Sequence, residues 1–159
     1  MADGARPERA GDRTVATNRR ARHDYAIQET FEAGMVLSGP EVKSLRAGRA
    51  SLADAYARVR GEEVWVEGLH IPPYPMADQR TYVPTRPRKL LLRRKEIDRL
   101  IGKTAERGLT LIPMRIYFTH GMAKVELGMG RGKRQFEKRQ ATLEREHRRD
   151  MDRAIGRRR

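Results

Sequence analysis

The chain has 159 residues and carries 35 lysines and arginines against 21 aspartates and glutamates, so its formal net charge is +14. Charge of this size and sign indicates an anionic partner, usually nucleic acid, with an anionic membrane surface as the alternative. The length suits one domain and a tail. The absence of cysteine excludes disulfides and thiolate metal sites. With no apolar run of about 18 residues and no signal-peptide core, the sequence predicts a cytoplasmic protein that does not enter a membrane.

The positive charge is concentrated in two stretches. Residues 131–159 hold 12 basic and five acidic side chains, and residues 80–103 hold nine basic and two acidic ones. A single charged run is usually a solvated face. Two runs flanking an apolar core instead favour a nucleic-acid-binding surface.

The first predicted elements are an arm and a strand. Residues 1–17 have few large apolar side chains, which predicts a mobile N-terminal arm. Apolar residues alternate over residues 25–37, as in a strand, and Ala33-Gly34 indicates a bend or bulge in it. Pro40 at the start and Gly48 beyond the end then predict a short helix.

The next elements are a hairpin and a long connection. Residues 53–60 and 64–71 alternate on either side of a glycine turn, which predicts a β-hairpin. Five prolines within residues 72–87 indicate an irregular connection. Residues 89–107 carry an apolar stripe of helical period. Strands follow over residues 109–118, with a kink or bulge at Pro113, and over residues 122–127, with glycines as a flexible exit.

This order predicts a mainly β fold with α-helices. We expect a small closed antiparallel β-barrel of the oligonucleotide-binding type over residues 18–130, with about three helices. Residues 131–159 then form a separate basic C-terminal tail. Its apolar stripe is too thin to fold alone, so we expect disorder until the tail meets a partner.

Nothing in the sequence points to catalysis, a cofactor or a metal. The four histidines, His23, His70, His120 and His147, are scattered without metal-ligand spacing. The segment 128–133 resembles a phosphate-binding loop only superficially, because its spacing differs and Arg134 replaces the Ser or Thr that would hold magnesium. We therefore predict a binding protein and not an enzyme.

Four segments resemble one known family. They are residues 18–25 (NRRARHDY), 31–34 with 41–48 (FEAG and EVKSLRAG), 86–92 (RPRKLLL) and 132–139 (GKRQFEKR). In order and spacing they resemble the SsrA-binding proteins (small protein B) of bacterial trans-translation. The residues Pro40, Arg93 and Glu137 depart from the usual family pattern, which changes one candidate RNA contact, Arg93, to a cation.

The resemblance implies a six- or seven-stranded barrel and a specific RNA partner. Proteins of this family bind the tRNA-like domain of transfer-messenger RNA and deliver that RNA to stalled 70S ribosomes. The resemblance also implies that the tail folds to a helix on the ribosome, in the empty 16S rRNA decoding centre and mRNA channel. We expect a monomer.

The candidate RNA-binding residues combine the resemblance with the chemistry of RNA recognition. Arginines and lysines clamp phosphates, and an exposed leucine beside them offers an apolar platform for a base. The candidates are His23, Glu32, Lys43, Arg46, Arg86, Arg88, Lys89, Leu91, Arg93, Lys124 and Lys133.

Glu32 needs a separate explanation, because phosphate repels a carboxylate. It must accept a hydrogen bond from a base edge or orient an arginine; the alternative is a structural ion pair with Lys43 or Arg46. Lys43 itself is equally well read as a plain surface residue.

The tail candidates for the decoding site are Gly132, Phe136, Glu137, Lys138, Arg139 and Ile155. Phe136 either stacks on a decoding-site base or packs against Leu143, seven residues later on a helix. Rival interpretations are a general single-strand binder, which needs more surface aromatics, a ribosomal structural protein and an RNA-modifying enzyme.

Overall fold

The computed structural model of the protein describes residues 12–106 and 108–157, apart from the Phe136 side chain. Over these residues the chain forms seven strands and four helices. In chain order they are β1 (Arg13–Thr17), α1 (Ala21–Asp24), β2 (Tyr25–Met35), α2 (Gly39–Arg46), β3 (Tyr56–Arg60), β4 (Glu63–Glu67), β5 (Arg88–Leu91), α3 (Arg94–Thr104), β6 (Leu109–Thr119), β7 (Met122–Gly132) and α4 (Gln135–Arg157).

The strands form one antiparallel sheet in the order β1-β6-β3-β4-β5-β2-β7. Because β6 also pairs with β7, neighbouring strands run from β6 through β3, β4, β5, β2 and β7 back to β6, with β1 outside this ring. The predicted sheet-dominated antiparallel fold is confirmed, with four helices where about three were expected. The unpredicted one is α1, whose four residues are too few to show a helical period.

One apolar cluster holds the strands and the two middle helices together. Strand residues of alternating position point into it, as the pattern over residues 25–37 predicted. Each of the helices α2 and α3 contributes a fully buried leucine. The cluster includes Phe31, Val66, Leu90, Ile116, Val125, Leu45 and Leu100.

The irregular positions of the long strands only partly match the prediction. The kink or bulge expected at Pro113 is confirmed as a bulge-like irregularity, because the β6–β7 register shifts directly after it. A bend or bulge was expected at Ala33-Gly34, and the bulge is wrong, since both residues pair regularly with β7. The irregularity of β2 lies instead between Ile27 and Glu29, where Ile27 turns toward a second small apolar cluster.

β7 is longer than the sequence predicted. We expected it to end at Leu127, with Gly128, Gly130 and Gly132 as a flexible exit, but the strand continues to Gly132. A Cβ at Gly130 would collide with the Ala26 backbone carbonyl of β2, whereas a Cβ at Gly128 would meet the side chains of Met114 and Ile27. Gly130 therefore marks a place where a neighbouring backbone comes too close for a side chain, and it does not end the strand.

The largest error concerns residues 88–91. We predicted one helix over residues 89–107, whereas the structure has β5 followed by a shorter helix, α3, between Arg94 and Thr104. β5 pairs with β4 on one side and with β2 on the other. These long-range pairings override the local helical pattern, because strand formation depends on neighbours that a sequence does not reveal.

The N-terminal boundary also differs. β1 pairs with β6, so residues 13–17 do not belong to the mobile arm predicted for residues 1–17. Residues 1–11 lie outside the described residues, and the arm stays a prediction there. The sheet therefore runs from residue 13 to residue 132, and not from 18 to 130.

A buried ion pair joins α2, β5 and the long connection. The Glu41 carboxylate of α2 accepts hydrogen bonds from the guanidinium groups of Arg88 in β5 and of Arg86 before it. Arg88 is fully buried and also donates to the backbone carbonyls of Leu69 at 2.6 Å and Pro84 at 3.0 Å. The charge of Arg88 is thus balanced and its hydrogen-bonding groups are used inside the protein.

The local environment keeps Glu41 ionised. Burial, the largest single influence, raises the pKa of Glu41. The hydrogen bond from the Ser38 N–H and the guanidinium groups of Arg86 and Arg88 together outweigh burial, so the pKa lies below its ordinary value of 4.5. The pair is therefore charged at neutral pH.

We predict that Glu41→Gln lowers the free energy of unfolding by about 3 kcal/mol, because it leaves the Arg88 guanidinium buried without a counter-charge. Urea unfolding followed by Trp65 fluorescence measures the loss. The control is Glu62→Gln, which breaks an exposed pair with Arg94 and should change little. Equal losses in the two variants would contradict the structural role of the buried pair.

The same pair predicts a pH dependence. A carboxyl with a lowered folded pKa stabilises the protein above its unfolded pKa, and this contribution is lost as pH falls through the folded pKa. The stability gap between wild type and Glu41→Gln should therefore be constant above pH 4.5 and should narrow below it. Urea titrations from neutral to acidic pH measure the gap; a gap that stays constant throughout would show that Glu41 is not the titrating group.

Candidate nucleic-acid interface

A groove of about 670 Å³ opens where β2, the junction of β5 and α3, and β7 meet. Gly34 of β2 pairs with Leu91 of β5 on one side and with Lys124 of β7 on the other. Gly34 places no side chain between these neighbours, and a Cβ there would lie 3.5 Å from the Leu91 Cβ. We call this feature the Leu91 groove; it is lined by Glu32, Leu91, Leu92, Arg93, Lys95, Glu96 and Lys124.

The groove brings together four of the residues predicted to bind RNA: Glu32, Leu91, Arg93 and Lys124. The other three lining residues, Leu92, Lys95 and Glu96, were not among the predicted ones. Of these, Lys95 belongs to the basic stretch of residues 80–103, and that stretch was the available signal.

The groove has three basic against two acidic side chains, a small positive excess, and it has an apolar wall. Leu91 is 53% exposed, which is unusual for a leucine in a strand between two neighbours. Arg93 precedes the first residue of α3, and the N-terminus of this helix adds a partial positive charge to those of Arg93 and Lys95. The arrangement suits a ligand with a flat apolar surface and negative charge beside it.

Glu32 stands out as an exposed carboxylate in this positive groove. It accepts a hydrogen bond from the Tyr117 hydroxyl of β6. This partner differs from the ion pair with Lys43 or Arg46 that the sequence suggested as the alternative. Tyr117 lies 85 positions away in sequence, so no local pattern could have indicated it.

The phosphate clamp predicted around residues 86–93 needs a correction. Arg88 is completely buried on Glu41 and cannot contact RNA, because its side chain points to the core beside Leu90. Arg86 is 42% exposed but shares the same carboxylate. Lys89 lies 3.6 Å from Glu63 and is also partly exposed. Arg86, Lys89 and Arg93 stay predicted phosphate contacts, and Arg88 is removed from that prediction.

Lys43 and Arg46 are exposed on α2 and do not line the Leu91 groove. The Lys43 ammonium lies 5.4 Å from the centroid of the Tyr74 ring in the long connection. A cation over an aromatic face is a common surface contact, so this geometry agrees with the reading of Lys43 as a surface residue.

His23 and Lys133 lie at a second place, where α1 contacts the start of α4. His23 Nε2 lies 3.0 Å from Thr142 Oγ1, and His23 Nδ1 lies 3.0 Å from Asp24 Oδ1. The Lys133 ammonium donates to the Arg22 carbonyl at 2.8 Å. The hydrogen bond with His23, and then the nearby Lys138 ammonium, lower the pKa of Asp24 although burial opposes them. These contacts attach the first turns of the tail to the sheet domain.

The remaining tail residues lie along a helix of 23 residues, α4. Gly132 ends β7, Glu137 pairs with Arg131 at 3.3 Å, and Arg139 is exposed. The apolar stripe is present, with Leu143, Met151 and Ile155 each more than half exposed. Both readings of Phe136 stay predictions, because its side chain lies outside the described part of the chain. The expectation that the tail becomes ordered only on a partner also stays a prediction.

Within residues 12–106 and 108–157, no group of His, Asp and Glu side chains is arranged to hold a metal ion. No helix in this part of the chain is long and apolar enough to cross a membrane.

A basic chain whose sheet carries a cationic groove with an exposed apolar wall has the features of a nucleic-acid-binding protein. A family model described as SmpB protein matches residues 15–157. The chain therefore belongs to the SmpB family.

Relatives are similar over nearly their whole length. The SsrA-binding protein of Salinispora arenicola is 56% identical over 152 residues, which is 96% of each chain. That of Thermobifida fusca is 56% identical over 149 residues, covering 94% of this chain and 93% of its own. A solved structure described as "tmRNA-SmpB: a journey to the center of the bacterial ribosome" matches with a TM-score of 0.63 and 48% identity. It covers 79% of this chain and 92% of its own.

Proposed function

We propose that this protein binds the tRNA-like domain of transfer-messenger RNA and delivers that RNA to stalled ribosomes for trans-translation. The observation that carries the proposal is the Leu91 groove, which unites Glu32, Leu91, Arg93 and Lys124 in a chain of the SmpB family. Similar proteins are named for binding SsrA, and the similar structure concerns tmRNA and the bacterial ribosome. The role is one of binding and not of catalysis.

The groove suits the elbow of a tRNA-like RNA, which presents phosphates and unpaired bases side by side. Arg93, Lys95 and Lys124 attract the phosphates, and this attraction contributes affinity without sequence selectivity. Leu91 offers an apolar surface to an exposed base. The Glu32 carboxylate repels phosphate, so the RNA group next to it should be a hydrogen-bond donor.

The fold proposed for this task is a closed barrel of the oligonucleotide-binding type, and the β6–β7 pairing that returns the strand order to β6 supports it. A closed ring of strands holds the groove residues in one rigid frame. We propose a cytoplasmic, monomeric protein, since both partners are cytoplasmic.

The tail is proposed to occupy the empty decoding centre and mRNA channel. Residues 131–159 carry 12 basic and five acidic side chains, so rRNA phosphates would relieve their mutual repulsion. The exposed stripe on α4 gives the helix an apolar face with Ile155 near its end. Gly132, Phe136, Glu137, Lys138 and Arg139 lie at the start of this segment, next to the sheet domain.

We predict that Arg93→Gln weakens binding to the tRNA-like domain about five- to tenfold and lowers the slope of log affinity against log salt by about 0.7–0.9, the value for one lost phosphate contact. Gel shifts at several salt concentrations, with an unstructured RNA of equal length as competitor, measure both quantities. The matched control is Arg58→Gln on β3, a side chain paired with Glu67 outside the groove. The groove is not the RNA site if both variants lose equally, and the function is wrong if unstructured RNA competes as well as the tRNA-like domain.

We predict that removing residues 135–159 separates two activities. The deletion starts after β7 and Lys133, so the sheet domain should keep its cooperative thermal unfolding and its RNA affinity within about threefold, while the circular dichroism spectrum loses only the helical signal of α4. Peptide tagging on ribosomes carrying truncated mRNA should fail. A truncated protein that still supports tagging would exclude a decoding-site role for α4.

A further inference from the structure

Glu32 faces a second acidic residue across the sheet. It lies directly opposite Glu126 of β7, which in turn lies opposite Arg115 of β6. Side chains opposed in this way have Cβ atoms about 4.5–5.5 Å apart, and like charges there destabilise the pair. The protein therefore needs neighbouring groups that hold the two carboxylates in separate directions.

Arg115 and Tyr117 hold them. Arg115 Nε donates to Glu126 Oε2 at 2.9 Å, and both side chains are mostly buried. The Arg115 guanidinium also lies 4.4 Å from the centroid of the Tyr117 ring. The Tyr117 hydroxyl then donates to Glu32 Oε2. The four residues form one chain of contacts that ends at the carboxylate in the Leu91 groove.

The two ends of this chain differ in exposure. Tyr117 is fully buried, whereas Glu32 is exposed. The buried Tyr117 ring is held in place by its neighbours, so its hydroxyl restricts the Glu32 side chain before RNA arrives. Glu32 then loses less conformational entropy when it binds RNA. A carboxylate accepts about four hydrogen bonds, so the Tyr117 hydroxyl by itself fills only a part of the acceptor capacity of Glu32.

We propose that Tyr117 is a positioning residue for RNA recognition. Its hydroxyl holds the Glu32 carboxylate so that it accepts a hydrogen bond from an RNA donor, either a base amino or imino group or a ribose 2′-hydroxyl. Phosphate has no such donor, so this contact recognises a particular base or ribose group, whereas the basic residues attract any phosphate. The inference rests on the RNA-binding function proposed above and adds a buried residue that touches no RNA.

The test is a double-mutant cycle with Tyr117→Phe and Glu32→Ala. Tyr117→Phe removes only the hydroxyl and keeps the ring beneath Arg115. It should weaken binding to the tRNA-like domain about five- to tenfold. The salt slope should stay unchanged, because no cation is lost. In the Glu32→Ala background, Tyr117→Phe should have no further effect.

The control is Tyr56→Phe on β3, a tyrosine that lies opposite Glu67 and does not line the groove. It also removes only a tyrosine hydroxyl and should leave RNA affinity unchanged. Thermal unfolding of each variant confirms that binding is measured on folded protein.

Three results would overturn the proposal: full affinity in Tyr117→Phe, equal losses in the two tyrosine variants, or an undiminished loss in the Glu32→Ala background. If wild type itself does not prefer the tRNA-like domain, the proposed function fails as well; if only the variants behave wrongly, the positioning role alone fails. A 2′-deoxy-substituted RNA identifies the donor. The Tyr117→Phe loss disappears with it if the donor is a 2′-hydroxyl and persists if it is a base.

Discussion

The contact between Glu41 and Arg88 connects the parts of the chain on which the groove depends. Glu41 lies on α2, Arg88 begins β5, and the carbonyls of Leu69 and Pro84 that Arg88 also holds belong to the hairpin end and the long connection. Leu91 follows Arg88 by three residues in the same strand. An interaction of the interior thus sets the position of an exposed side chain. Buried charge pairs cost desolvation, and this one is sustained because Arg88 also bonds two backbone carbonyls.

The charges of the protein divide into two groups with different physical roles. Arg88, Arg115, Glu41 and Glu126 are largely withdrawn from water and fix how elements meet. Arg93, Lys95 and the basic side chains of the tail lie at the surface, where they act over distance and weaken with salt. The net charge of the protein therefore indicates what kind of partner it binds. The positions of the individual buried charges determine how the elements of the fold pack together.

The sequence predicted those features that have a local signature. The alternating strands, the hairpin, the short α2 helix and the kink or bulge at Pro113 follow from period and turn residues, and all are present. The resemblance selected Glu32, Leu91, Arg93 and Lys124, which the fold brings together.

The remaining features depend on contacts between distant segments. Residues 88–91 were predicted as the start of a helix, because a sequence does not reveal their pairing with β4 and β2. Arg88 read as an RNA contact because an arginine in a basic stretch is usually exposed, and its partner Glu41 is 47 positions away. The glycines of β7 read as a flexible exit because a close approach by β2 has no local signature. Each error is a long-range contact that outweighs a local preference.

The ring of strands also affects how readily copies of the domain aggregate through their sheet edges. In the described residues, β1 is the one strand with a neighbour on a single side, and such an edge is a template for unwanted strand addition. β1 is five residues long, begins with an arginine and carries a register shift between Thr14 and Ala16. A short, charged and irregular edge offers few hydrogen-bonding groups in line. Copies of the domain therefore have little opportunity to join edge to edge, even when many are drawn to the same long polyanion.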